Sequence, residues 1–353
     1  QRIRQLVADA GAARIEALGL NSQVATIEPC SHIQQAMILE TARHKNAYCN
    51  WIELEFQKSV SAAAVQEAVF KLVEQNTLLR SGFIEIGLKD QSFARFTYHA
   101  LDKRIFEKRD AFDYDLSLTA EHDLLQPLRF QLRETPEDLR LLVHIHHALY
   151  DGWSWQLMLK DLHRLLLSED LPPKPAYNVV ADFFVEYKLS NASNESLLFW
   201  RDQLQGSSPA PFPNFHTTTD VPPGTQEATR ELQISTSKLT EASQNLRVSR
   251  QTIFQAAYCY ILSTYLGSDD VTFGSVFSGR TLPVKGIENV LGPCIRTLPT
   301  RMKLDKMQNA TDLLLAIQNM NRKCLEHGSL PLQDIKKASG IDLQSSLFDT
   351  ALV

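Results

Sequence analysis

The chain has 353 residues, 44% of them hydrophobic and 22% charged, the balance of a soluble globular protein long enough for two domains or lobes. A net charge of −5 excludes a general electrostatic footprint for nucleic acid, and no apolar run is long enough to span a bilayer, so no membrane role is expected. The cysteines (Cys30, Cys49, Cys259, Cys294, Cys324) are scattered, odd in number and form no CxxC pair, which reads as reduced, mostly buried thiols of a cytoplasmic protein.

Residues 1–20 carry an Ala- and Leu-rich helical pattern, either a linker or a leading helix. Ser31 followed by Gln34 predicts a capping box at the start of the next helix. Trp51 to Phe56 alternates as a strand, and residues 60–79 form an amphipathic helix on Val65, Ala68, Val69, Leu72 and Val73. Further strands are expected after Phe83, over Phe93–Tyr98 and over Leu128–Leu132. Leu139 to Ile145 reads as a buried strand with Leu141, Val143 and Ile145 on one face. Trp155, Met158, Leu159, Leu162, Leu165 and Leu166 then recur at helical spacing, with Ser154 as N-cap and Gly152 supplying the turn.

A Pro-rich loop at 171–175 precedes a helix around 197–200. Residues 205–227, rich in Pro, Ser and Thr, read as an inter-lobe loop, followed by a strand near Arg230–Ile234. Residues 252–266 predict a helix that is apolar nearly all round and therefore buried. A strand then runs into Ser278-Gly279-Arg280.

Between the 139–145 strand and its helix stands His146-His147-Ala148-Leu149-Tyr150-Asp151-Gly152. Adjacent side chains at a strand end point in opposite directions, so one histidine faces a cleft and the other supports it. His147 is read as the working group and His146 as support. One ring nitrogen would be fixed by backbone and the other left free to exchange a proton. Asp151 either acts on the imidazole or pairs with a distant cation to hold the loop. His144 and His146 share a strand face, but no carboxylate stands at a usual ligand spacing, so no metal site is expected. Trp153 and Trp155 read mainly as packing residues, with substrate stacking as the other option.

This His-His-x-x-x-Asp-Gly turn resembles the signature of the condensation domains of non-ribosomal peptide synthetases, in the superfamily of chloramphenicol acetyltransferase. The resemblance continues through Ser31-His32-Ile33-Gln34, Leu79-Arg80-Ser81-Gly82-Phe83, Leu125-Gln126-Pro127-Leu128, Asp182-Phe183-Phe184, Ser278-Gly279-Arg280 with Leu291–Pro299, and Glu326–Leu332. It covers nearly all of the chain after residue 20, and the flavour around the signature is that of fungal synthetases, of siderophore or cyclic-peptide type. Arg296 departs from the pattern, since the family often has Asn there.

The resemblance implies an α+β fold of two chloramphenicol-acetyltransferase-like lobes forming a V with a central tunnel. A leading segment 1–20 would precede an N-terminal lobe 21–180 and a C-terminal lobe 181–353. Family members usually continue beyond the equivalent of Val353, so the second lobe is expected to be incomplete and to expose apolar surface. The implied activity joins a donor thioester to an acceptor amine, both held on phosphopantetheine arms of partner carrier domains, beside a neighbouring adenylation domain. The domain itself would bind no cofactor. The implied catalytic set is His147, His146, Asp151 and Gly152, with the Gly152 N–H or the Ser154 hydroxyl facing the oxyanion. Arg280 and Ser154 would support it, Arg280 by pairing with Asp151, and Trp153, Ser278, Arg296 and His327 would line the substrate channel. A terminal cyclising domain, a free-standing CoA-dependent acyltransferase and a silent carrier-docking module are the other readings. The retained His146 argues against the first of these, the succession of motifs against the second, and the intact His147 and Asp151 against the third.

Overall fold

The computed structural model describes residues 2–89, 91–114, 120–207, 227–342 and 345–353. The chain divides into two compact units, one of residues 1–186 with 278–295, the other of 187–277 with 296–353. The single boundary expected near residue 180 thus gives way to a chain that returns to its first unit for eighteen residues. Buried bonds described below hold that return.

The first unit opens with α1 (Arg2–Ala17), β1 (Val24–Pro29), α2 (His32–Arg43), β2 (Cys49–Phe56) and α3 (Ala62–Gln75). It continues through β3 (Ser81–Leu88), β4 (Gln91–Tyr98), β5 (Phe106–Lys108), α4 (Ala120–Leu125), β6 (Leu128–Glu134), β7 (Leu139–His146), α5 (Gly152–Leu166) and most of α6 (Asn178–Lys188). Two sheets result, one ordered β1-β4-β3, the other β2-β7-β6-β5. The 139–146 strand is central, antiparallel to β2 on one side and to β6 on the other. Leu139, Leu141, Val143 and Ile145 join one core with Val65, Val69 and Leu72 of α3 and Met158, Leu162 and Leu165 of α5. Each such fully buried aliphatic side chain contributes about 1.5–3 kcal/mol, so the strand that carries the histidines is also a strongly anchored one. The capping box of α2 forms as expected, with Ser31 Oγ accepting from Gln34 N–H and Gln34 Oε1 accepting from Ser31 N–H. A separate small core of Val7, Ile15, Ile84, Ala94 and Phe96 fastens α1 to the β1-β4-β3 sheet, and α1 is further tied by Arg4–Asp182 and Arg14–Glu121 ion pairs.

The second unit contains α7 (Asn191–Leu204), α8 (Thr236–Leu246), α9 (Arg250–Leu266), β8 (Asp270–Phe277), β9 (Arg296–Lys303), α10 (Ala310–His327), α11 (Leu332–Ala338) and β10 (Ala351–Leu352). Its sheet is ordered β10-β8-β9, and its core gathers Trp200, Cys259, Phe273, Ile317 and Cys324. Two expectations fail here. Residues 230–234 form no strand: Leu232 and Ile234 are exposed, and no strand among the described residues pairs with them, so their backbone has nothing to complete a ladder. The 252–266 helix is not buried all round. Its buried face carries Thr252, Gln255, Ala256, Cys259 and Leu262, whereas Phe254, Tyr260, Ile261 and Tyr265 are exposed. Asn321 and Ser275 hydrogen-bond Gln255, and Asn321 also reaches Thr252, which satisfies polar groups that the sequence pattern would place outside. Most of the 205–227 loop lies outside the described residues. All five cysteines are buried, and no disulfide forms among the described residues.

Candidate active site

The site grows from the end of β7. His146 closes the strand, and a 3-10 turn over His147–Leu149 leads to α5. His146 is fully buried. Its Nδ1 accepts from Ala148 N–H at 3.0 Å, and its Nε2 lies 2.7 Å from Thr41 Oγ1. An accepting Nδ1 carries no proton, so Nε2 holds it and donates to Thr41. Burial, with the neighbouring His147 and His144 adding to it, pushes the His146 pKa down to about 3. This ring is neutral and fixed at both nitrogens, which is the supporting role expected of it.

His147 is arranged differently. Its backbone N–H donates to Tyr48 C=O at 2.8 Å, but neither ring nitrogen has a hydrogen-bond partner among the described residues. Nδ1 is shielded, which leaves Nε2 as the more open nitrogen of a half-buried side chain. The expectation that backbone would fix one ring nitrogen is therefore corrected: aromatic packing holds this imidazole. Tyr150 stacks on its face at 4.7 Å and 20°, and Tyr48 meets it edge-on at 6.3 Å and 89°. Tyr150 is buried and its hydroxyl donates to Asn50 Oδ1 at 2.9 Å.

Asp151 does not reach the imidazole as a base. Its carboxylate is fully buried and already accepts from Arg280 Nη2 (2.7 and 2.8 Å), Cys294 N–H (2.8 Å), Ser154 N–H (2.8 Å) and Ser154 Oγ (2.7 Å). Of the two options open in the sequence, pairing with a distant cation is the one observed. Asp151, not Ser154, is the N-cap of α5, with Ser154 as the third helical residue of a capping box. Ser154 is buried and its hydroxyl is committed to Asp151, so it is withdrawn as an oxyanion donor. Gly152 begins α5 with no left-handed backbone, and a Cβ there would meet open space. Gly152 is exposed at the helix start, so the absence of a side chain leaves open the space beside the first turn of α5.

The returning segment 278–295 is bound to this frame at several points. Arg280 Nη1 donates to Ile287 and Val290 carbonyls at 3.1 and 2.7 Å, and Nη2 to Gly292 at 2.9 Å. Trp153, half-exposed, donates from Nε1 to Glu288 C=O at 2.9 Å. Tyr177 OH donates to Pro293 C=O and receives Ser31 Oγ, both at 2.8 Å, while Gln34 Nε2 donates to Ala148 C=O at 2.9 Å. Gly279 and Gly292 are required by this course: both have positive φ, and a Cβ would lie 1.8 Å from Cys294 O and 2.2 Å from the Tyr177 ring respectively.

The first unit thus collects His146, His147, Asp151, Gly152, Trp153, Ser154, Ser278 and Arg280, whereas Arg296 and His327 belong to the second. Ser278 is exposed. Arg296 is buried beside Gly328 at the end of α10. The His327 ring is taken up by packing within its unit, stacked on Phe199 at 4.4 Å with Nδ1 3.0 Å from Ser196 Oγ, and burial lowers its pKa. Sequence patterns gave no sign of Thr41, Tyr48 or Asn50. Pairing of β2 with β7 brings in Tyr48 and Asn50, since Cys49 and Asn50 lie opposite His146 and Ile145, and the packing of α2 brings in Thr41.

The condensation-domain family model matches residues 24–353. The chain is 42% identical over 331 residues to the non-ribosomal peptide synthetase sidC of Arthroderma benhamiae, covering 94% of this chain. It is 34% identical over 335 residues to non-ribosomal peptide synthetase 2 of Cochliobolus heterostrophus. It spans only about 6% of the length of each of these relatives. In fold it is similar to the condensation domain of the monacolin K polyketide synthase MokA, with a TM-score of 0.72 at 17% identity over 93% of this chain and 81% of that one. The expected α+β architecture related to chloramphenicol acetyltransferase is the one observed, and with its signature turn intact the chain belongs to the condensation-domain family.

Proposed function

We propose that the chain is an amide-forming condensation domain within a longer, fungal-type non-ribosomal peptide synthetase. Its substrates would be a donor acyl or peptidyl thioester and an acceptor aminoacyl thioester, each on the phosphopantetheine arm of a carrier domain in the same cytoplasmic polypeptide, with an adenylation domain alongside. The observation that carries this reading is the contrast between the paired histidines: His146 is saturated and neutral, while His147 presents an open nitrogen one short turn before the start of α5.

In the reaction the acceptor nitrogen attacks the thioester carbon, the C–S bond breaks, and the donor arm leaves as a thiol once it has taken up a proton. His147 Nε2 would receive the proton from the attacking amine or hold that amine in line. The Gly152 N–H would face the oxygen on which negative charge builds. Asp151 and Arg280 would keep both groups in register.

The test uses the intact synthetase. Donor and acceptor carriers are loaded and the acceptor-bound product is followed by intact-protein mass spectrometry for wild type and His147→Ala. A dipeptidyl acceptor arm in wild type, strongly reduced in the variant, supports the reading. Equal product in both removes His147 from the reaction. Acylation of a free amine or alcohol from CoA, with no transfer to a carrier, would place the protein among the stand-alone acyltransferases.

A further inference from the structure

We propose that Tyr150, anchored by Asn50, is the positioning residue for the His147 imidazole, an inference that rests on His147 being the working group of the proposed reaction. A catalytic histidine is usually oriented by a hydrogen bond to its second ring nitrogen, commonly from a carboxylate or a backbone carbonyl. Here no such bond forms among the described residues. His147 Nδ1 is shielded and unpartnered, and the nearby carboxylate of Asp151 is fully used by Arg280, Cys294 and Ser154. Without another constraint the ring would turn about its last side-chain torsion, which is broad for imidazole.

The constraint present is a face-to-face stack. The Tyr150 ring lies 4.7 Å from the imidazole at 20°. Tyr150 is itself fixed from three sides. Its backbone N–H donates to His147 C=O at 3.3 Å, its hydroxyl donates to Asn50 Oδ1 at 2.9 Å, and the Trp155 ring packs against it at 5.8 Å. Burial pushes the Tyr150 pKa up to about 12, so the hydroxyl keeps the proton that it donates to Asn50. Asn50 stands on β2 opposite Ile145 of β7, so the anchor is tied to the same strand that delivers His147. Tyr48 closes the edge of the imidazole, and its carbonyl holds the His147 backbone. The arrangement sets the plane of the imidazole by ring contact, and among the described residues Nε2 has no hydrogen bond that an incoming amine would have to displace.

Two readings in the intact synthetase test this. The first is the single-turnover condensation rate and its dependence on acceptor-carrier concentration. The second is the rate at which diethyl pyrocarbonate modifies His147, followed by peptide mass spectrometry, which reports ring exposure whether or not the enzyme turns over. Tyr150→Leu removes the stack and is expected to lower the saturated rate about tenfold or more with little change in the concentration dependence, and to speed His147 modification. Tyr150→Phe keeps the stack and is expected to restore most of the rate and the slow modification. A Tyr150→Leu enzyme with wild-type rate and wild-type modification overturns the proposal, as does a loss confined to acceptor affinity. Should Tyr150→Leu fail to fold, Asn50→Ala leaves both rings in place and loosens only the anchor. Faster His147 modification together with a slower saturated rate then supports the inference, and wild-type values for both overturn it. Failure of the function itself is separable: undiminished product in His147→Ala removes the proposed reaction, whereas unchanged His147 modification in Tyr150→Leu removes the positioning.

Discussion

Asp151 and Arg280, 129 positions apart, form a buried ion pair in which one guanidinium nitrogen bridges both carboxylate oxygens. The same carboxylate caps α5 and receives the Cys294 N–H, so one side chain joins the signature turn to the returning segment 278–295. Removing one member of such a pair strands the other charge. Asp151→Ala is therefore expected to destabilise the protein by about 3–5 kcal/mol. Arg280→Lys should not substitute, because a point charge cannot serve the carboxylate and the carbonyls of Ile287, Val290 and Gly292 together. The combined Asp151→Asn, Arg280→Met variant should recover part of the loss. Denaturant midpoints decide this, and a wild-type midpoint for Asp151→Ala would rule it out. Loss of activity in Asp151→Ala thus reports structure, not proton transfer.

The two histidines should separate cleanly. His147→Ala is expected to lower the condensation rate by about 10²–10⁴-fold while costing only about 1 kcal/mol of stability, since no ring nitrogen is hydrogen-bonded among the described residues and only the ring contacts with Tyr150 and Tyr48 are lost. His146→Ala should lose about 2 kcal/mol or more of stability, because Thr41 and the Ala148 N–H lose their partner. Thermal melts and single-turnover rates on the same preparations check both. A stable His146→Ala would contradict the supporting role.

Two glycines predict opposite outcomes. Gly279→Ala would force a methyl onto Cys294 O at positive φ, at a cost of about 2 kcal/mol or more. Gly152→Ala meets no atom and replaces a poor helix former in the first turn, so stability should change by less than about 1 kcal/mol. Its added methyl enters the space in which the thioester carbonyl is proposed to lie, and the rate should fall. A Gly152→Ala enzyme of full activity would argue against an oxyanion site at that N–H.

Acid should destabilise the first unit before its carboxylates titrate. Burial, followed by the Arg129 charge, lowers His144 from 6.5 to about 4, and burial lowers His146 to about 3. The unfolded chain binds the extra protons between the unfolded value near 6.5 and these folded values. Stability is then complete above about pH 6.5 and falls as the pH drops through that window, by about 1.4 kcal/mol per pH unit for each fully responding group. His144 has no hydrogen bond at either ring nitrogen among the described residues and packs on Trp51 at 5.0 Å. His144→Phe should therefore flatten the pH slope and leave stability at neutral pH equal or higher. Unfolding curves at pH 7.5 and 5.5 provide the check. An unchanged slope in the variant would show that His144 does not contribute.

Local pattern carried much of the first unit. Alternation over Leu139–Ile145, the helical spacing after Trp155 and the Ser31–Gln34 box are short-range signals, and each produced its element. The pattern failed where partners decide the outcome. Residues 230–234 alternate like a strand but have no strand to pair with among the described residues. The 252–266 helix buries Gln255 and Thr252 because Asn321 and Ser275 satisfy them, and leaves Tyr260 and Tyr265 exposed. Ser154 and Asp151 both suit an N-cap, and the choice fell to Asp151 because its second oxygen also meets Arg280 and Cys294.

By itself, the sequence determined the strand–turn–helix that carries His146, His147 and Gly152, because that unit depends on side-chain period and turn chemistry within some thirty residues. The tertiary structure alone decided which groups surround the imidazole. Asn50, Tyr48 and Thr41 arrive through pairing of β2 with β7 and the packing of α2, and Arg280 and Cys294 arrive through the chain's return. Hydrogen bonds and ring stacks fall off within a few ångströms. The separation in space that governs them is set by sheet register and burial, not by distance along the chain.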